Sequence, residues 1–262
     1  MATHLSALIT GASSGIGAVY ADRLARRGHD LVLVARDRSR MDVLAGRLRK
    51  DTGVSVDILQ ADLTASDDLL TVESRLRDDG RIGILVNNAG MSVHGEFVDQ
   101  RADELTQIIS LNVTALSRLA IAVTPRFVSA GKGAIVNISS VVSLAPEFGL
   151  TVYGATKAFV LFLSQGMQRE LGPKGVYVQA VLPAATRTEI WERSGFDLHR
   201  LSAVMETDAL VDAALVGFDR REAVTIPSLP DDSQWNDLEA VRQAMLPHLN
   251  RAQPAHRYLS VE

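Results

Sequence analysis

Short runs of apolar, often β-branched residues alternate along this chain with longer stretches in which apolar residues recur every three or four positions. The runs Leu5–Thr10, Asp30–Ala35, Val54–Gln60, Ile82–Asn87, Gly133–Ser139, Val176–Leu182 and Ala223–Pro227 read as strands. Segments 15–28, 39–50, 66–79, 102–130, 152–172 and 207–219 read as the helices between them. Runs such as Leu31-Val32-Leu33-Val34 do not alternate apolar with polar. A strand covered on both faces has this character, so the pattern predicts a parallel sheet with helices on both sides. Strand–helix alternation along the length implies right-handed crossovers and a doubly wound α/β fold of about seven strands. After about residue 228 the pattern changes. Pro227-Ser228-Leu229-Pro230 is turn-rich, a helix is expected over 233–248, and 228–262 reads as a C-terminal extension of one domain spanning 1–262.

Composition narrows the function classes without naming one. At 262 residues the chain is near the upper limit of a single hydrophobic core. A net charge of −4 offers no basic surface for nucleic acid or an anionic membrane. There is no cysteine, which removes disulfides, thiolate metal sites and a cysteine nucleophile, and fits a reducing compartment. The start of the sequence lacks a basic stretch followed by an apolar run, and no window approaches 18 uninterrupted apolar residues, so no membrane span is expected and the cytoplasm is the simplest location. Histidines at 4, 29, 94, 199, 248 and 256 show no metal-ligand spacing, and no metal is expected.

Candidate chemistry begins where the first strand meets a helix, at Thr10-Gly11-Ala12-Ser13-Ser14-Gly15-Ile16-Gly17. Glycines at such a junction let the backbone turn sharply and approach a diphosphate, while free amides at the helix start supply donors and positive potential. A tight strand–helix turn could need the same glycines for packing alone. Further along, Tyr153 and Lys157 lie four apart on a segment of helical period and share one face. A free phenol, with a pKa near 10, is a poor acid–base at neutral pH. A nearby ammonium is expected to lower that value, giving one group that moves a proton and one that tunes it.

In these motifs the chain resembles the classical short-chain dehydrogenase/reductase family, whose cofactor loop has the form TGxxxGxG. Asn87-Asn88-Ala89-Gly90, Asn112 within Leu111-Asn112-Val113, Ser140 after the fifth strand and Tyr153-Gly154-Ala155-Thr156-Lys157 follow in the family's order over residues 5 to about 190. The resemblance implies a Rossmann-type fold and hydride transfer between a nicotinamide cofactor and a carbonyl or alcohol. It implies that Gly11, Ser13, Ser14, Gly15, Ile16, Gly17, Asn88, Ala89 and Gly90 hold the cofactor, with Asp62 and Leu63 at the adenine. Asp62 could instead cap the helix that follows it. Ser140 would bind the substrate oxygen, with Ser139 pointing elsewhere. Tyr153 would exchange the proton, Lys157 would also reach the nicotinamide ribose, and Asn112 would support a proton relay to solvent. A satisfied packing residue is the plainer reading of Asn112.

Ala35 stands where family members that prefer NAD place an acid, and Arg36 where many NADP-preferring members place a base, so NADP(H) is expected over NAD(H). Pro183 and Thr188 match a further cofactor segment, although Ala184 replaces its usual glycine. Residues 187–206 fall where the family places a lid, with Ile190, Trp191 and Phe196 on one apolar face and Gly195 as a hinge; a surface helix whose Trp191 packs on the core is the plainer reading. With Val142, Ile190 and Trp191 in the pocket, a medium-sized, largely apolar ketone or secondary alcohol is expected. Helices 102–130 and 152–172 are apolar around much of their circumference, which together with the resemblance implies a homotetramer or homodimer. Two rivals remain. A nucleotide sensor would not need all of Asn112, Ser140, Tyr153 and Lys157, and an epimerase or dehydratase of the extended branch would carry a larger C-terminal domain.

Overall fold

Every residue of β1 (Ser6–Thr10), β2 (Leu31–Ala35), β4 (Ile82–Asn87) and β6 (Val176–Val181) is buried, as continuous apolar runs require. The computed structural model describes residues 5–194, 201 and 203–259, with the backbone alone for Arg193. With β3 (Val56–Gln60), β5 (Gly133–Ile138) and β7 (Val224–Thr225) these strands form a parallel sheet in the order β3-β2-β1-β4-β5-β6-β7. This is a seven-stranded, doubly wound Rossmann-type sheet. The expected strand Ala223–Pro227 contracts to the two residues of β7.

The two-residue period of the strands divides the core into two layers. Ala7, Ile9, Leu31 and Leu33 pack with Tyr20, Leu24, Met41, Leu48, Val211 and Leu215 on one face. Those partners come from α1 (Gly15–Arg26), α2 (Arg38–Thr52) and α8 (Thr207–Asp219). Leu8, Val32, Val34 and Leu85 pack with Val72, Leu76, Leu119, Val123 and Phe127 on the other. Those come from α3 (Ser66–Asp78) and α5 (Leu116–Ala130). Each buried leucine, isoleucine or phenylalanine removes enough apolar surface from water to contribute about 1.5–3 kcal/mol.

The expected helix over 102–130 is not continuous. It opens as α4 (Ala102–Ile109), widens into a π-helical segment at Ser110–Ala115 and resumes as α5. The widened turn is centred on the buried Asn112, whose side chain is bonded outside the helix, a common setting for π-bulges. By length and composition this run could cross a membrane. Its stripe of Ala115, Leu119, Val123 and Phe127 covers the sheet.

The last long helix of this part, α6 (Thr151–Leu171), carries Tyr153 and Lys157. The chain divides into two compact units, Met1–Pro227 and Ser228–Glu262. The second, taken by itself, consists of α9 (Ser233–Leu249) followed by a short helical turn at His256–Tyr258.

Candidate active site

The strand order reverses between β1 and β4, and in open α/β sheets a ligand crevice forms beyond the carboxyl ends of the strands at that point. A cleft of about 900 Å³ lies there, at the upper end of the usual 300–1,000 Å³ for ligand sites. Gly11, Ser13, Ser14, Gly15 and Ile16 form one wall. Gly11 has φ +65°, and a Cβ there would come within 2.7 Å of Asn88 Nδ2 and 2.9 Å of Ala89 Cα. Gly17 is buried behind the loop rather than in the cleft, because its Cα packs on Gly11 O and Asn88 Nδ2 with no room for a methyl group. Its part, expected to be cofactor contact, is to bring α1 close to the loop.

Asn88 and Thr10 tie this junction together. Asn88 Nδ2 donates to the carbonyls of Thr10 (2.9 Å) and Gly11 (3.2 Å), and Thr10 Oγ1 accepts from the amides of Asn88 and Ala89, both at 3.0 Å. Sequence reasoning missed Thr10, although it directly precedes the first glycine. Ser14 stands at the N-cap of α1 in an extended conformation with no capping bond from its side chain, and no acid occupies the first turn. The amides of that turn are thus left for an anion at the glycine loop. Thr188, from the segment after β6, faces Gly15 across the loop.

At the other end of the cleft, Ala35 ends β2 and Arg36 follows it. Arg36 is exposed and 3.9 Å from Asp62 Oδ2. Asp37 caps α2, accepting from the Arg40 amide at 3.0 Å, and so has a structural task of its own. Asp62 does not cap α3. Its Oδ1 accepts from the Thr64 amide (2.9 Å) and hydroxyl (2.7 Å), which hold its carboxyl below the ordinary value despite partial burial, and Asp62 and Leu63 both line the cleft. A glycine wall with open amides, a basic lip and an acid at the adenine end together fit a phosphorylated dinucleotide.

Ser140, Tyr153 and Lys157 line the middle of the cleft, with Ala89, Gly90 and Pro183 nearby. Ser140 bonds the Tyr153 phenol, and its hydroxyl also donates to Pro183 O at 3.2 Å. Ser139 turns away and donates to Lys157 O at 2.7 Å, which pins the helix that presents both groups. Lys157 Nζ lies 5.6 Å from the centre of the Tyr153 ring and donates to Ile138 O at 2.8 Å. Burial pushes the phenol up to about 12, and the Ser140 hydrogen bond opposes this only in part. Burial likewise pushes the Lys157 ammonium down to about 8. The expected lowering of the phenol by lysine is not what the site shows: desolvation penalises the charged form of both groups, and at the phenol it is the Ser140 bond that opposes it.

Asn112 acts on this cluster through the backbone. Its Oδ1 accepts from Met91 N at 2.9 Å, and its Nδ2 donates to Met91 O at 2.9 Å and Thr156 Oγ1 at 3.1 Å. With those bonds made, its side chain fixes the strand-end loop against α6. Gly90 lies between the two groups: a Cβ there would be 3.3 Å from Asn112 Oδ1 and 3.5 Å from Lys157 Nζ.

At the substrate end Val142, Leu150, Met91, Ile190 and Trp191 line the cleft. Ile190 and Trp191 belong to α7 (Ile190–Arg193), and Trp191 Nε1 donates to Thr186 O at 2.6 Å. The segment entering α7 is tied to its exit: Thr186 bridges Met205, and Arg187 N donates to Met205 O at 2.9 Å. Gly195 and Phe196, assigned to a hinge and to the lid's apolar face, lie outside the described residues.

The short chain dehydrogenase family matches residues 6–197 of this chain. Among curated relatives, the very-long-chain 3-oxoacyl-CoA reductase-A of Danio rerio is 37% identical over 188 residues, 70% of this chain and 59% of its own length. The chain thus matches about three fifths of the length of such relatives. Among solved structures, a short-chain dehydrogenase from Sphingobium yanoikuyae in complex with NADPH is 64% identical with a TM-score of 0.96, covering 97% of this chain and 99% of that one. The bulky-bulky ketone specific alcohol dehydrogenase from Comamonas testosteroni, in its orthorhombic form, is 59% identical with a TM-score of 0.93, covering 98% and 100%. A family match that runs from the first strand through the helix bearing Tyr153 and Lys157, on a sheet of this order, makes the chain a member of the short-chain dehydrogenase family.

Proposed function

We propose that this chain uses NADP(H) to interconvert bulky, largely apolar ketones and their secondary alcohols. One observation carries the reading. The Ser140–Tyr153–Lys157 cluster, with Ser140 and Lys157 buried and Tyr153 half-buried, sits in a single cleft between a basic lip at Arg36 and apolar walls at Val142, Ile190 and Trp191. The NADPH bound to the Sphingobium neighbour and the bulky-bulky ketone specificity stated for the Comamonas neighbour support it.

The bound nicotinamide supplies or accepts the hydride; the proton is the work of this chain. With its pKa near 12 the Tyr153 phenol is protonated at neutral pH, so it can give its proton to the carbonyl oxygen as that atom gains charge. Ser140, bonded to the same phenol, can turn its one hydroxyl proton from Pro183 O to the same oxygen and so fix its place. Lys157, held by Ile138 O, stands next to the Tyr153 ring, where its ammonium favours the phenolate left behind. Val142, Leu150 and Trp191 exclude water from the reacting atoms and give an apolar substituent a surface to bury.

A homotetramer or homodimer is part of this proposal. Ile121 of α5 and Phe159 and Phe162 of α6 are 70%, 41% and 79% exposed, more aromatic and aliphatic surface than a solvated helix face usually shows. A mass of two or four chains is expected by light scattering, and a 28.3 kDa species at micromolar concentration would contradict it.

The activity is tested by following NADPH absorbance on addition of a ketone with two bulky substituents. Consumption is expected, and Arg36→Ala should weaken NADPH binding by about one to two decades, the worth of one charged hydrogen-bonded contact, with little change for NADH. Equal loss for both cofactors would remove Arg36 from the 2′-phosphate.

Lys157 also sets a pH dependence. Its folded value of about 8 lies below the ordinary 10.5, so between these limits the unfolded chain holds a proton that the folded chain has released. Stability of the cofactor-free protein contributed by Lys157 therefore rises with pH through this window. Tyr153, raised to about 12, acts oppositely, but only above about pH 10, where an unfolded phenol ionises first. Urea denaturation of wild type and Lys157→Met should show the wild type gaining about 2 kcal/mol on the variant between pH 7.5 and 9.5. A constant difference would mean that Lys157 titrates as a solvated amine.

A further inference from the structure

His94 stands on the loop that follows β4, outside the cofactor wall and outside the Ser140–Tyr153–Lys157 cluster. Its ring meets the indole of Trp191 with centroids 5.9 Å apart and planes tilted by 39°, within the range of a favourable aromatic pair. The two residues come from different connections of the sheet, one after β4 and the other after β6. Met91 and Ser92 of the first connection line the cleft, as Ile190 and Trp191 of the second do. The contact therefore joins two walls of the substrate end.

Each ring is also held from behind. Met91, three residues before His94, is bonded at both its amide and its carbonyl by Asn112. Gln100 Nε2 donates to the carbonyls of His94 and Gly95, both at 3.1 Å, and Ser92 Oγ lies 3.4 Å from His94 Nε2. On the other side the indole N–H is engaged by Thr186 O, and Thr186 itself bridges Met205. Partial burial keeps the His94 ring below its ordinary pKa, which favours the uncharged imidazole in an apolar setting. An indole whose polar edge is bonded and whose tilt is fixed by a second ring offers a rigid flat face to the cleft. A flexible aliphatic wall would accept chains and rings alike, whereas a fixed aromatic face favours a planar substituent.

We propose that His94 is a positioning residue for Trp191, and that the pair selects ketones bearing a flat aromatic substituent on the carbonyl. The proposal rests on the ketone-reducing reading above and specifies which ketones that site prefers. The test compares benzophenone with dihexyl ketone, which has the same number of carbons, as substrates for wild type, His94→Ala and His94→Phe with NADPH. In His94→Ala the ratio of KM values, aryl to alkyl, should rise roughly three- to tenfold, the worth of one aromatic pair, with kcat changing less than KM. His94→Phe should restore the ratio. A ratio that stays constant in His94→Ala, with both KM values moving together or neither moving, overturns the proposal.

Failure of the parent reading is seen separately, as a wild type that reduces neither ketone. The wall is then read without turnover. The protein has two tryptophans, so Trp235→Phe on α9 leaves Trp191 as the only indole. Benzophenone should quench its emission, and adding His94→Ala should move the midpoint by the same three- to tenfold. An unchanged midpoint, or no quenching, overturns the proposal.

Discussion

Taking a phenol and an ammonium out of water one helical turn apart sets the terms for everything around them. Desolvation raises Tyr153 to about 12 and lowers Lys157 to about 8, so each is driven towards its neutral form. A neutral phenol is a proton donor in waiting, and reduction of a carbonyl consumes that proton. The opposite direction needs phenolate, which the same burial penalises. What keeps the pair usable is its hydrogen bonding: Ser140 to the phenol, Ile138 O to the amine, and Ser139 to the backbone of Lys157. Each of those partners belongs to the end of β5 or the residues just after it, so the parallel sheet aligns the chemistry.

The second constraint is steric. α1 approaches the first loop so closely that Gly17 lies on Gly11 O, and Asn88 fills the remaining space with a side chain that bonds two carbonyls of the β1 end. Thr10 binds the two amides that follow β4. The cofactor wall and the strand-end loop are thereby one hydrogen-bonded unit. Asn112 extends this unit to α6 by way of Met91 and Thr156, at the cost of a widened turn in its own helix.

Much of this was legible in the sequence because it follows from local rules. Uninterrupted apolar strands announced a sheet covered on both faces, the glycine turn announced a backbone that must turn sharply, and the four-residue spacing put Tyr153 and Lys157 on one face. Other features depend on neighbours distant in sequence and were not legible. Gly17 has the same residue type whether it meets a cofactor or Gly11 O. The partners of Asn112, Met91 and Thr156, lie 21 and 44 positions away and cannot be read from its place in the chain. The direction of the Tyr153 shift depends on how much water both groups lose, which spacing does not encode. The contact of His94 with Trp191 joins residues 97 positions apart in two separate connections, and no periodicity links them.

The central claim is that the Tyr153 hydroxyl supplies the proton while the remainder of the site binds. It is tested most directly by Tyr153→Phe, examined for NADPH affinity and for single-turnover reduction of a bulky ketone. Affinity for NADPH should stay within about twofold, while the rate falls by about 10²–10⁴, the usual loss on removing a general acid, or further because the phenol also orients the substrate. A variant that still reduces the ketone at a rate near that of the wild type would contradict the account.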